Sequence, residues 1–446
     1  MAESTILVNA EWKNESTGNT VTYNGKTYTI GSDAFGSIQT AVDAAQAGAI
    51  INVAKGEYAE DVTISKALTL NGASGYASKV TSIGIGADHV TIQGFSIKPA
   101  KQNCLGSNEM PLAAGVYLTA GGAGNPLQDI TVTNNRIDCS GTMEAGVKAT
   151  GVAFGTGPDS HFSTNVVVSN NRITGGNSDT AQNGIYLRFV DGATVAGNTV
   201  SDFSHHLVQF ETGGNYTVSN NVLSNTDRNG IQFGGDTPGT NTVTGNSISN
   251  CRGSSSDDAA LVLRNAGDGS LSVSGNNITD STTGVYISNV TEVTGLMVSG
   301  NVIDSNTTDI VSDNASKVTL SGNNYGSEAA TTKGNVDAGT SVDAETGEEK
   351  FIINAAFSSQ KTVAGLDGKF YTVGTNAFAT LPDAIAALSA QTEELEVTGT
   401  VNWLGNQTLD LSGTTGKIIL TFNGLTGPTL GAYKNYITKV FLKLVR

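Results

Sequence analysis

One six-residue phrase, returning eight times between Val132 and Tyr325, constrains this chain more than any other feature of it. The copies are VTNNRI (132–137), VSNNRI (168–173), VAGNTV (195–200), VSNNVL (218–223), VTGNSI (243–248), VSGNNI (273–278), VSGNVI (298–303) and LSGNNY (320–325). The Asn in the fourth place recurs after 36, 27, 23, 25, 30, 25 and 22 residues, from Asn135 to Asn323. A period of that size marks a stacked-repeat architecture, in which one turn cannot bury its apolar face alone. Apolar and polar residues alternate with period two, so the unit is built of strands. Only 14% of the residues are charged and 55 are Gly, a composition that suits an all-β protein with many tight corners.

A second apolar run precedes each later phrase: 184–188, 206–210, 230–234, 260–264, 284–288 and 309–312. Aligned on their local apolar pattern, these runs stack Ile185, Leu207, Ile231, Leu261, Val285 and Ile310 inside a coil, with turns about 4.8 Å apart. The repeated Asn reads as structural, because Asn tolerates left-handed backbone, bonds to its own corner and stacks along an axis.

Residues 1–30 read as short strands with a hairpin turn at Asn24-Gly25. A helix follows over 31–45, with Ser32 or Asp33 as its cap and Phe35, Ile38, Val42 and Ala45 on one face. Such a helix covers the apolar end that an open solenoid exposes. The first turns are IINVAKGEY (50–58), DVTI (61–64) and LTLNG (68–72). This entry, with its capping helix, resembles that of the right-handed parallel β-helix proteins of the pectin-lyase-like superfamily, over Gly31 to Tyr325. The resemblance implies an all-β, right-handed parallel β-helix solenoid over 31–325. It implies little about activity, since that superfamily contains lyases, hydrolases, phage tailspikes and non-enzymatic surface proteins.

Residues 326–349 are polar, acidic and without period, and read as a linker. The chain then repeats its own beginning: 351–357 echoes 6–12, and 367–378 echoes 24–35. Leu381, Ile385 and Leu388 rebuild the capping helix, so 350–446 reads as a partial second module. This resembles large bacterial surface proteins that string such modules in tandem, and implies a longer, multi-module protein. The stretch 433–446 carries four cations and no acid. Its readings are a basic amphipathic cap, a consequence of where the chain is cut, or a membrane-surface helix.

The net charge of −16 and the lack of a basic stripe argue against a nucleic-acid partner. No run of about 18 apolar residues is present, so no membrane span is expected. The first residues lack a signal-peptide pattern, yet the composition suits a secreted or cell-surface protein whose export signal lies outside this chain. Cys104, Cys139 and Cys251 give no even disulfide framework; isolated thiols are expected, with a Cys104–Cys139 pair left open.

Stacking sets residues of equal phase side by side outside the coil. In this alignment Gln182, Ser204, Arg228, Asp258 and Thr282 form one column, and Asn183, His205, Asn229, Ala259 and Thr283 the next. Asp227 and Asp257 lie one residue earlier, while His206 and Glu211 flank the strip. Two carboxylates flanking a sugar bond are what glycoside hydrolysis requires. Asn225-Thr-Asp227 and Asp257-Asp258 resemble the N-T-D and D-D motifs of polygalacturonase-type hydrolases. That implies catalytic roles for Asp227, Asp257 and Asp258, beside Arg228 and His205. The family's G-H-G is replaced by Thr282-Thr-Gly284 and its R-I-K is missing, so solvated loop acids with an Arg228–Asp258 ion pair are the plainer reading. A lyase would need a base and a cation facing a uronate carboxylate, for which Arg188, Arg228 and Arg264 qualify. No clustered aspartates with calcium spacing accompany them, and His205-His206 lacks a third metal ligand, so no cofactor is expected. Tyr186, Phe210 and Tyr286 fall outward in this register, where rings stack on sugars. Tyr186 and Phe210, with Arg188, Glu211 and Arg264, form the expected ligand-binding set. The function expected is an adhesin-like extracellular module binding polysaccharide or a cell-surface glycan, and the alternative is a glycoside hydrolase or polysaccharide lyase.

Overall fold

The computed structural model describes residues 5–106, 110–119, 126–141, 143–155, 162–235, 237–264, 269–290, 295–314, 316–326 and 329–342. Beyond these it describes 350–353, 357, 360–364, 369–379, 383, 394–398, 418–423 and 440–445. By packing, the chain divides into two compact units. One comprises Met1–Val195, Val200–Tyr216 and Asn225–Pro238; the other comprises Ala196–Thr199, Thr217–Ser224 and Gly239–Arg446.

In the first unit the period-two pattern becomes parallel ladders. The phrase's opening residue lies in a stack of inward side chains, Ile51, Leu70, Ile92, Val132 and Val168, each paired with the next turn and fully buried. A short second strand stacks Ile97, Ile137 and Ile173. A third stacks Val62, Ile83, Val116, Val152, Ile185, Val208 and Ile231. Three ladders per turn, all parallel, bury apolar faces that no single turn could cover. The second unit repeats the arrangement with Val218, Val243, Val273 and Val298 on one flank, Ile248, Ile278 and Ile303 on the next, and Leu261, Val285 and Ile310 on the third.

The corner between the first two flanks divides its work between two residues. The third place of every phrase, always Asn or Gly, takes the left-handed conformation, as at Asn134 (φ 53°), Asn220 (φ 55°) and Gly245 (φ 65°). These are the residue types that adopt it at least cost. The fourth-place Asn is instead buried and forms the ladder. In the second unit, each of Asn198, Asn221, Asn246, Asn276 and Asn301 donates its backbone N–H and its side-chain amide to the Oδ1 of the next, over 2.8–3.1 Å. The sequence reading had given both tasks to one Asn. A second left-handed position lies at the end of five of the short strands, at Asp202, Asn225, Asn250, Asp280 and Ser305.

The helix is Ile38–Ala44 and buries Ile38, Ala41 and Val42 against the first strands. Its cap is Ser37, not Ser32 or Asp33. Ser37 Oγ accepts from Thr40, and Glu60 accepts the N–H groups of Ile38 and Gln39 at 3.1 and 2.9 Å. The helix starts later than expected because Ala34–Phe35 pairs as a strand with Leu7–Val8, and Asp33 closes a turn by accepting from Thr29.

Residues expected as an irregular linker carry two more strands. Thr332–Gly334 pairs with Ile310–Ser312, and Val336–Asp337 with Val318–Thr319. Thr332–Gly334 is exposed, so it needs no apolar alternation. The opening topology then recurs. Leu7↔Ala34 and Thr5↔Ile50 have their counterparts in Ile352↔Ala377 and Lys350↔Glu394. Likewise the antiparallel hairpin Thr20–Tyr23/Lys26–Thr29 has its counterpart in Thr362–Ala364/Phe370–Thr372. Trp12 packs under the first hairpin and Phe357 under the second. Leu381, Ile385 and Leu388 lie outside the described residues. Of 433–446, Val440–Val445 is a strand paired in parallel with Ile418–Asn423, which replaces a membrane-surface helix there.

The three thiols are free. Cys139 and Cys251 are buried and Cys104 half-buried; burial pushes the Cys104 and Cys251 thiols up to about 12, and Cys139 in the same direction. Among the described residues, no helix is long and apolar enough to cross a membrane.

Candidate functional site

The foreseen strip divides between the two units, so each half stands by itself. In the first unit the ladder register differs by one residue from the sequence alignment. Ile185 faces Val208, not Leu207, and Asn183 faces His206, which in turn faces Asn229. The shift moves His205 out of the Asn183 column and brings its Nε2 to 2.7 Å from Arg228 Nη1. A guanidinium only donates, so Nε2 is the accepting atom of this contact. Asp227 is exposed, with its N–H on Phe203 O.

The same shift corrects the outward placement of Phe210. It faces Leu187 and Phe233 across the ladder and is fully buried inside the coil, stacked on Tyr216 at 4.3 Å and Phe233 at 5.1 Å. Gln209 takes the outward column instead, between Tyr186 and Gln232.

Around that column the side chains are tied together. Asn183 donates to Gln209 Oε1 at 3.1 Å, and Gln209 donates to Glu211 Oε1 at 2.8 Å. The other oxygen of Glu211 accepts from the Tyr186 hydroxyl at 2.7 Å and faces Arg188 Nε at 3.7 Å. Arg188 lies over the Phe189 ring at 4.6 Å. Tyr186 is 2% exposed, packed with Tyr117, Ala153 and Leu112, so its ring face is not open to a sugar as expected. Arg188 and Glu211 keep about a quarter of their side-chain surface open. Gln209 and Gln232 were not foreseen, and Asn183 and Asn229 share a column as expected but with His206 between them in place of His205. Asn183 and His206 lie equally far before Asn198 and Asn221, so counting from the ladder would have found them.

In the second unit Asp257 is ion-paired with Arg264, whose guanidinium sits 6.0 Å from the Tyr286 ring centre. Asp258 is buried, and its Oδ2 accepts from the Ser255 N–H at 2.9 Å while its own N–H bonds Ser255 O. That closes the loop from Arg252, so Asp258 is placed as a turn-holding group rather than an open acid. The Tyr286 hydroxyl donates to Asp313 at 2.7 Å, and burial first, then Asp313, raises its pKa. The ring is nearly buried with Ala259, Val262 and Val311.

A surface groove of about 550 Å³ also lies in the first unit, lined by Glu57, Lys79, Lys98, Pro99 and Met143 among others. None of the foreseen residues lines it. Lys79 and Lys98 are matched by Glu57 at 2.6 Å and Asp138 at 3.5 Å. Among the described residues, no group of three His, Cys, Asp or Glu is arranged to hold a metal ion.

A family profile described as a right-handed β-helix region matches residues 66–257. Among solved structures, the chain is similar to the Dettilon tailspike protein, at 16% identity and a TM-score of 0.38, over 67% of this chain and 63% of that one. It is also similar to the periplasmic alginate epimerase AlgG, at 12% identity and a TM-score of 0.33, over 66% and 77%. An alginate lyase from Paenibacillus sp. str. FPU-7 matches at 12% identity and a TM-score of 0.33, over 68% and 96%. No curated protein matches the chain. The ladders in each unit are parallel, the corner asparagines stack, and the matched profile is that of a right-handed coil: the fold is the right-handed parallel β-helix.

Proposed function

We propose that the chain is a polysaccharide-binding surface module, and that the outer face of the first unit's third ladder contacts the glycan. The supporting observation is the tied array of Asn183, Gln209, Glu211, Tyr186 and Arg188. The buried Asn183, Gln209 and Tyr186 hold the partly open Arg188 guanidinium and Glu211 carboxylate in place, so these two offer donors and an acceptor at little entropic cost on binding. The array spans two adjacent turns, about 4.8 Å apart. The second-unit acids suit this reading better than catalysis, since Asp257 is paired with Arg264 and Asp258 holds a loop. Affinity electrophoresis against neutral and uronate polysaccharides tests it. Arg188→Ala and Glu211→Gln should each weaken retention by about tenfold while leaving the melting transition in place. Retention equal to that of the unaltered chain in both variants would overturn the assignment.

A catalytic reading is favoured by one observation, the His205 imidazole beside the Arg228 guanidinium and the exposed Asp227. A base and a cation side by side are the pieces a uronate lyase uses. Incubation with plant, algal and host polysaccharides, read by released reducing ends and by unsaturated products, tests it. Turnover abolished by Arg228→Ala would replace the binding reading with this one.

A further inference from the structure

The second hairpin, Thr362–Ala364 with Phe370–Thr372, does not stand free. Ala364 and Phe370 are buried against Val302, the Ala364 N–H donates to Asn277 Oδ1 at 2.6 Å, and Gln360 Nε2 reaches Ser247 Oγ at 3.2 Å. Ser247, Asn277 and Val302 form one column on the short-strand flank, each being the fifth residue of its phrase.

We propose that this contact is a module-to-module lock, and that two pairs of positions specify it. The first pair is on the hairpin. Register places Thr22 and Thr27 of the first hairpin where the second has Ala364 and Phe370. Thr22 and Thr27 are exposed, whereas their counterparts are apolar and buried. The inner-face pairs, Val21/Tyr28 and Val363/Tyr371, keep the same residue types in both. Only the outer face changed, which is where a partner is met.

The second pair is on the flank. In the first unit the matching column runs Glu57, Lys79, Ser96, Arg136 and Arg172; its three cations are exposed, and Ser96 alone of the five is half-buried. In the second unit the column is small, uncharged and buried. A long cation there would have to be desolvated under a docked hairpin, whereas Ser, Asn and Val admit it closely. The occupant of this flank is therefore the chain's own next module, recognised by an Ala/Phe hairpin face. A module carrying the Thr/Thr face, or meeting a cationic column, is not held in this way.

Hydrogen exchange on the full chain tests the lock from both sides. The double variant Ala364→Thr, Phe370→Thr alters the hairpin. Val302→Lys alters only the flank, at a column where Lys79, Arg136 and Arg172 show that the coil tolerates a cation. Both variants should exchange the amides of 362–364 and 370–372 at least tenfold faster, with coil strands 243–248 and 273–278 unchanged. Unaltered hairpin exchange in either variant overturns the proposal. Loss of protection spreading equally through those coil strands also overturns it, because the hairpin would then be part of the coil's own core.

Discussion

Removing one rung of the asparagine ladder should open the coil locally, and Asn276→Ala is the cleanest case. Its amide donates to Val243 O at 2.9 Å, Ser274 O at 3.1 Å and Asn301 Oδ1 at 2.9 Å. Its Oδ1 accepts the backbone N–H and the side-chain amide of Asn246, both at 2.9 Å. The residue is fully buried, so water does not replace these bonds without the turn opening. Depriving the buried Asn246 N–H of this acceptor costs about 1–3 kcal/mol, and the other four bonds about 0.5–1.5 kcal/mol each before non-additivity, so a loss of about 3–5 kcal/mol is expected. Because solenoids unfold in parts, the assay is the opening free energy from hydrogen exchange at the Asn246 and Asn301 amides, with urea denaturation beside it. Asn276→Asp sharpens the test. Its carboxyl would face three oxygen acceptors, so its folded pKa would lie above the unfolded value of about 3.9. The folded state then binds the extra proton. Stability is greatest below about pH 3.9 and is lost as pH rises through the folded value. A loss below about 1 kcal/mol for Asn276→Ala, or no pH dependence for Asn276→Asp between about pH 4 and 8, would refute the ladder as a source of stability.

At the third place of the phrase, Asn220→Gly should be nearly neutral while Asn220→Val loses about 1–2 kcal/mol or more by denaturation, because a β-branched residue resists φ of 55°. Asp309 has its carboxyl raised above 3.8, chiefly by burial, despite bonds from Thr331 and Asn306. Its share of stability is full below that unfolded value and declines as pH rises through the folded one, so Asp309→Asn should flatten the pH profile of unfolding on the acid side. The thiols of Cys104 and Cys251, both raised to about 12 by burial, should resist alkylation at about pH 8 in the folded chain and label promptly in urea, as mass spectrometry would show.

The coil was legible because its cause is local. Every turn repeats an apolar alternation and an Asn, and stacked repeats add no long-range surprise. The outer strip was less legible. Runs such as His206–Phe210 are apolar on both faces of the strand, so Leu207 and Val208 look equally fit for the interior, and choosing Leu207 turned Phe210 outward. Only the ladder spacing breaks that tie. Ser37 was missed as the cap because two strands' worth of pairing, at Ala34–Phe35, claims residues that would otherwise begin the helix. The engagements of Asp257 and Asp258 depend on a loop fold and were beyond any motif.

The chain invests between 22 and 36 residues in successive turns measured from Asn to Asn, yet within each unit a turn advances its ladder by the same single strand spacing. Pulled from its ends, such a coil would release turns of unequal hidden length, from about 80 Å for the shortest to about 130 Å for the longest at full extension. The order of those lengths is written in the sequence. A force–extension trace would therefore carry steps of distinguishable size, a signature by which each unravelling turn could be told from its neighbours.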